Sequence, residues 1–467
     1  MAKKTKTEKG NFKEGKVSSL ILSQAVPLTL AQLIQVVYNI VDRIYLGHMP
    51  GAEGGAALTG VGLSFPVISL IAAFTNLFAT GGAPLCAIAR GKRDEKRALD
   101  IEVTTLVSQL INGISCGVIF YLFKRPLLYL LGASDVTYAY ASDYLSVYLL
   151  GTVFITMGTG MNGFINLQGY ADRAMVYMIT GAAINLILDP LFIFRFHMEV
   201  AGAAAASVIS QGIAFVLVLR FLFGKNAVIK IRFRDLKHPK WRLLPEIMTL
   251  GLAGFIMSAT NCAVQAVCNA TLSLHGGDLY VGIMTIINSV REMISLPING
   301  LTAGSQPVIS FNFGAGDNMR VKQGIRFMAA VSIGYTALMW LLIILFPTFF
   351  LTMFTSEETI ISTGKLPLMI YFSGFIFMAL QFVGQSSFVA LGKAKQSIFF
   401  SIFRKVIIVV PLTLLLPHIG GLSVLGVFLA EPISNFLGGL ASFLTMYIGT
   451  YRKLTVCALP TGSGQGS

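Results

Sequence analysis

The chain has 467 residues, of which 55% are hydrophobic and only 12% charged, with a mean hydropathy of +0.74. Soluble domains carry about a quarter charged residues, so this composition excludes an ordinary soluble protein; apolar stretches of ~20 residues or more indicate a chain that crosses a bilayer many times. The net charge of +14 does not point to nucleic acid, because Lys and Arg stand between the apolar runs and form no basic stripe.

In chain order, a polar, basic segment, MAKKTKTEKGNFKEGK, comes first and reads as cytoplasmic (1–17), without a cleavable signal. Twelve apolar runs follow, at 20–46, 57–89, 99–123, 138–167, 174–196, 201–223, 244–274, 279–312, 325–350, 360–391, 398–417 and 421–450. Unbroken runs of this length exclude the alternating pattern of a barrel, so the expected fold is an all-α polytopic membrane protein with twelve transmembrane helices. Lys and Arg cluster at 3–16, 90–97, 220–242, 320–326, 393–405 and 452–453, whereas the loops at 47–57, 275–279 and 351–360 have none. That asymmetry predicts that both termini lie in the cytoplasm. The tail ALPTGSGQGS is flexible in composition and stands outside the functional argument.

The two halves match at a shift of 223 residues. Gly81, Pro84, Gly91 and Arg97 correspond to Gly304, Pro307, Gly314 and Arg320, and Gly169 and Ala171 to Gly392 and Ala394. With one residue of slippage, Gly202, Ala206 and Ser210 correspond to Gly426, Ala430 and Ser434. The expected organisation is therefore two six-helix bundles, 18–223 and 244–450, related by a pseudo-two-fold repeat, with a basic linker at 224–243 and a tail at 451–467. Parallel repeats of this kind place a cavity between the halves near the bilayer midplane.

Polar residues inside the runs single out the first bundle. In QLIQVVYNIVDR, Gln35, Asn39 and Asp42 share one helical stripe, with Tyr38 beside them. In NLILDP, Asn185 lies one turn from Asp189, and Ser207 lies near the start of the sixth run. If odd helices run outward, all four of Asp42, Asn185, Asp189 and Ser207 share one depth. An acid inside a bilayer is costly and normally faces a cavity or a partner. Two acids in one site share a proton, and carboxylate, amide and hydroxyl oxygens equally suit Na⁺, with Asp42, Asn185 and Asp189 as its ligands. The competing reading is that the two acids anchor helix ends at the interface. Pro27 and Pro190 are candidate hinges. In the second bundle Gln265 takes the place of Asp42, while Glu292 and Glu431 are open to either ion pairing or transport.

Other motifs carry little. GTGMNG (158–163) fits a nucleotide-binding spacing but lies inside an apolar run. There is no Walker A loop, HExxH or GxSxG, so neither ATP-driven pumping nor hydrolysis is expected, and no cofactor. The five cysteines show no CxxC spacing.

The segments AVPLTLAQLIQVVYNIVDRIYLGH, LQGYADRA, NLILDPLFIF, GLTAGSQPVISFNFGAG and RKVIIVVPLTLLLP followed by EPISNF resemble, in this order, the MATE (multidrug and toxic compound extrusion) family, in its MepA-like bacterial branch. The resemblance runs over residues 18–450. It implies two bundles around a V-shaped cavity and export of amphipathic, often cationic compounds in exchange for H⁺ or Na⁺. It further implies roles for the Y-N-x-x-D residues Tyr38, Asn39 and Asp42, for Asn185 and Asp189, for a hydroxyl at Ser207, and more loosely for Asn162. Gln35, Tyr38, Asn39 and Asn162 are the expected substrate contacts. A monomer in a bacterial plasma membrane is expected. The rival expectation is a flippase for lipid-linked or polysaccharide precursors, which would call for a strongly basic central cavity.

Overall fold

The computed structural model describes residues 12–47 and 53–454, and these are helical throughout apart from turns and short connections. The first half contains α1 (Val17–Gly47), α2 (Glu53–Gly91), α3 (Glu95–Leu130), α4 (Asp135–Leu150), α5 (Thr152–Leu167), α6 (Ala171–Pro190) and α7 (Glu199–Leu222). The second contains α8 (Leu244–Gly314), α9 (Asn318–Leu345), α10 (Pro347–Thr352), α11 (Glu358–Phe372), α12 (Phe375–Ala390), α13 (Ala394–Ile402), α14 (Val410–Leu415) and α15 (Ser423–Met446). A π-helical turn, Phe403–Val409, joins α13 to α14. α8 is two spans in one: Gly277 adopts φ 67° and ψ −167°, a backbone region open essentially to glycine alone, and turns the chain back.

Among the described residues, ten helices are long and apolar enough to cross a membrane, and two bent pairs bring the number to 12. The pairs are α4 with α5, bent by 58°, and α11 with α12, bent by 43°. The positions of the bends were not expected. They fall at Gly151 and Gly374, positions 223 apart. A Cβ on Gly151 would meet Val208 in α7 at 2.4 Å, and one on Gly374 would meet Pro432 in α15 at 2.7 Å. Each bent span thus lies against the last span of its own bundle at matching positions, which the slipped register of 224 relates.

Apolar side chains face outward in helical stripes, as lipid requires. Leu33, Val37 and Ile40 form one on α1, and Ile111, Ile114, Val118 and Leu122 another on α3. The bundles meet through small residues that let backbones touch. A Cβ on Gly91 would stand 2.0 Å from the Phe311 carbonyl oxygen, and a Cβ on Gly314 would stand 2.0 Å from that of Ile88. Positions 88 and 311, like 91 and 314, are 223 apart, so the two contacts are one contact seen twice across the pseudo-two-fold axis. Gly81 packs against Ile247 and Gly304 against Ala25 in the same reciprocal way.

These contacts lie toward the end of the molecule that carries the basic clusters. There Asp94 caps α3 and Asp317 caps α9, each accepting from the backbone NH of an arginine three residues on. Those arginines reach across to the other half. Arg97 pairs with Glu246 at the start of α8, at 2.8 Å. Arg320 donates to the carbonyl oxygens of Phe12 and Gly15, just ahead of α1, at 3.0 and 2.9 Å. The linker is not slack. Ile229 and Ile231 are buried, and the Gln168 side-chain oxygen accepts from the backbone NH groups of Val228 and Ile229 at 2.7 and 3.2 Å.

Candidate functional site

α6 packs between α1 and α7, and this arrangement brings the first bundle's polar residues together. Asn185 and Asp189 lie one turn apart on α6, both buried. The Asn185 amide donates to Asp189 Oδ1 at 3.1 Å and to Ser207 Oγ on α7 at 3.5 Å. The side chain of Asp42, from α1, lies within hydrogen-bonding reach of Asp189. The two acids are therefore neighbours, and Asp42 also lines a cavity. The Asn185 side-chain oxygen is buried and has no hydrogen-bond partner among the described residues. It leaves an acceptor beside two carboxyl groups, a donor set that suits a proton-bearing water or a small hard cation.

A cavity of about 400 Å³ opens beside this cluster, with Gln35, Tyr38, Asp42, Tyr144, Ser207 and Gln211 in its wall. A second, of about 360 Å³, shares Gln35, Tyr38 and Gln211 and continues to Asn162 and Tyr177. Tyr38 sits where they join, with Gln35 and Gln211 in the same shared wall. Three of the four expected substrate contacts thus line the cavities: Gln35, Tyr38 and Asn162. Asn39 lies in α1, but its side chain falls outside the described ones. α1 continues through Pro27 as one helix. Pro190 is the last residue of α6 and leads into the π-helical turn Leu191–Arg195.

Gln211 and the stacked pair Tyr144–Tyr148, 6.0 Å between centroids, were not anticipated. Gln211 had a signal, since it follows Ser207 by one turn on the same helical face. Tyr144 and Tyr148 are likewise one turn apart on α4, but their approach to the cavity depends on how α4 packs against α2 and α7.

In the second bundle Glu431 is ion-paired. Its Oε1 lies 3.0 Å from Arg404 and 3.2 Å from Lys405, with Arg291 at 3.9 Å. Glu292 lines a neighbouring cavity, and Gln265 reaches a smaller one beside Glu431. The motif GTGMNG lies wholly within α5, as a helix-packing segment.

The MatE family model matches residues 27–191 and 254–415, one stretch in each half. The chain is 24% identical over 428 residues to the multidrug export protein MepA of Staphylococcus haemolyticus (strain JCSC1435), covering 91% of this chain and 93% of that one. It is 23% identical over 438 residues to MepA of Staphylococcus aureus (strain MRSA252), covering 94% and 95%. Its fold matches an outward-facing conformation of a multidrug resistance MATE family transporter of the MOP superfamily, with a TM-score of 0.89, 24% identity, and coverage of 96% of this chain and 100% of that one. The two-bundle helical fold and a family match across most of the length agree: the chain belongs to the MATE family, a family of multi-pass membrane transporters and not of enzymes.

Proposed function

We propose that this transporter is a secondary active multidrug efflux antiporter, exporting amphipathic, often cationic compounds in exchange for H⁺ by alternating access. The observation that carries this reading is the meeting of Asp42 and Asp189, with Asn185 and Ser207, at the edge of a drug-sized cavity. Two neighbouring carboxyl groups can share one proton between them, because a protonated carboxyl donates and an ionised one accepts. A bound proton draws the two side chains together, and a cationic substrate in the same cavity favours their ionised, separated state. Proton and drug then bind in competition, which is all that exchange requires. Each proton entering down a 100 mV potential supplies about 2.3 kcal/mol.

The basic end is read as cytoplasmic from its Lys and Arg clusters, with both termini on that side of a bacterial plasma membrane. The glycine contacts and arginine bridges join the bundles at this end, so the cavity is read as accessible from outside. The units that rock are 18–223 and 244–450, with 224–243 as their tether, and the working unit is a monomer. Gln35, Tyr38, Asn39 and Asn162 are assigned to the substrate, and Pro190, beside Asp189, to the bend that transmits protonation. Pro27 is the corresponding hinge candidate in α1. The reconstituted protein tests this reading. Dye transport should follow an imposed ΔpH, ignore an imposed Na⁺ gradient, and vanish in Asp42→Asn and Asp189→Asn. Transport driven by Na⁺ alone would move the same residues to Na⁺ coupling; full transport by both variants would make the acids structural.

A flippase for lipid-linked or polysaccharide precursors is the second reading. The cationic cluster around Glu431 favours it, whereas the acidic wall of the first bundle's cavity favours a cationic drug. Export of a soluble dye decides for the drug.

A further inference from the structure

The second bundle contains a cavity of about 390 Å³ that the proposed proton site does not use. Its wall includes Arg291, Glu292, Gln381, Gln385, Arg404 and Lys405. Arg404 and Lys405 belong to the π-helical turn Phe403–Val409, a local widening found often at functional sites. Their side chains are 11% and 5% exposed, and that of Arg291 is 25% exposed. All three converge on Glu431. Glu292 is the one carboxylate among the described residues of the wall, and Glu431 lines the smaller adjoining cavity. A buried cation is costly unless paired, and the described wall presents two guanidinium groups and an amine against one carboxylate. Gln381 is 5% exposed and its side-chain oxygen has no hydrogen-bond partner among the described residues. The wall is therefore polar beyond what the protein itself satisfies.

The first bundle's main cavity has the opposite character. Asp42 lines it, and no Lys or Arg among the described residues does. α1 separates the two, offering Gln35 to one and Val36 to the other.

We propose that the cavity around Arg291, Arg404 and Lys405 is a second substrate site, which takes the carboxylate of an amphipathic compound. An Arg fork binds a carboxylate in two parallel hydrogen bonds, and Lys405 adds a point charge. The volume suits a drug-sized group. This proposal rests on the export reading for its biological sense, but its test does not depend on ion coupling.

The test uses the full chain in phosphatidylcholine nanodiscs, at equilibrium and without any gradient. Two dyes share one cationic fluorophore: rhodamine 110 has a free carboxylic acid, and rhodamine 123 is its methyl ester. Binding is read by fluorescence anisotropy. The wild type should bind rhodamine 110 at least as tightly as rhodamine 123. Arg291→Gln should raise the Kd for rhodamine 110 by tenfold or more and that for rhodamine 123 by less than twofold, with Arg291→Lys between. Arg291 is the most exposed of the three cations, and its removal leaves Glu431 with two partners. A measurement on the wild type guards against a variant that fails to fold: benzoate should displace rhodamine 110 and spare rhodamine 123, while neutral benzamide displaces neither. A tenfold preference for the ester, equal losses for both dyes in Arg291→Gln, or equal displacement of both by benzoate would overturn the proposal. Because no gradient is applied, loss of proton-driven export would leave this result standing, and failure of the carboxylate site would leave export standing.

Discussion

Asn185 donates a 3.1 Å hydrogen bond to Asp189, one turn further along the same helix, and the same amide reaches Ser207 on the next. The amide thus holds the carboxyl group in a fixed orientation while its own oxygen stays unsatisfied. A hydrogen bond to a charged group contributes about 1.5–3 kcal/mol. Replacing Asn185 with Leu should therefore weaken transport by roughly tenfold or more, since 1.4 kcal/mol is a factor of ten, without loss of the folded monodisperse peak in detergent. Dye efflux at matched expression checks it. Unchanged efflux would mean that Asp189 needs no orienting partner.

Gly91 and Gly314 make the same contact from opposite bundles, each against a carbonyl oxygen of the other. A methyl group at either position would collide with backbone, which has little room to yield. Overpacking of this kind costs about 1–3 kcal/mol. Gly91→Ala and Gly314→Ala should each push the bundles apart at the basic end, and to a similar degree, because the pseudo-symmetry makes the sites equivalent. Distances between spin labels placed on the two bundles at that end should lengthen in both variants. Longer distances in only one of them would mean that the two contacts do different work.

Glu431 is a structural carboxylate in this account. It lies within 3.0–3.9 Å of three cations, and breaking a buried ion pair from one side costs about 3–5 kcal/mol. Glu431→Gln should lower thermal stability sharply in a dye-based unfolding assay, whereas Asp189→Asn, which removes a charge from a pair of acids, should not. Equal stability of the two variants would contradict the division of roles between the bundles.

Much of this architecture is legible in the residues, and the exceptions have physical causes. The twelve apolar runs correspond to the spans because a bilayer demands length and hydrophobicity from each segment separately. The repeat is visible where glycine is irreplaceable, as at Gly91 and Gly314, since close backbone contact tolerates no side chain. The bends at Gly151 and Gly374 escaped because an apolar run reads the same straight or bent. Asn185, Asp189 and Ser207 were legible through helical spacing and depth, which hold within one helix or between neighbours. Tyr144 and the partners of Glu431 were not, for they meet only when separate helices pack.

The central claim is that proton and cationic drug exclude each other at Asp42 and Asp189. Its most direct measurement is proton release on binding. Purified transporter in weakly buffered detergent at constant Na⁺ is mixed with a saturating cationic dye, and the pH change is read with an indicator. The wild type should release close to one proton per dye bound, and Asp189→Asn should release none. Stoichiometric dye binding by the wild type with no release of protons would contradict it.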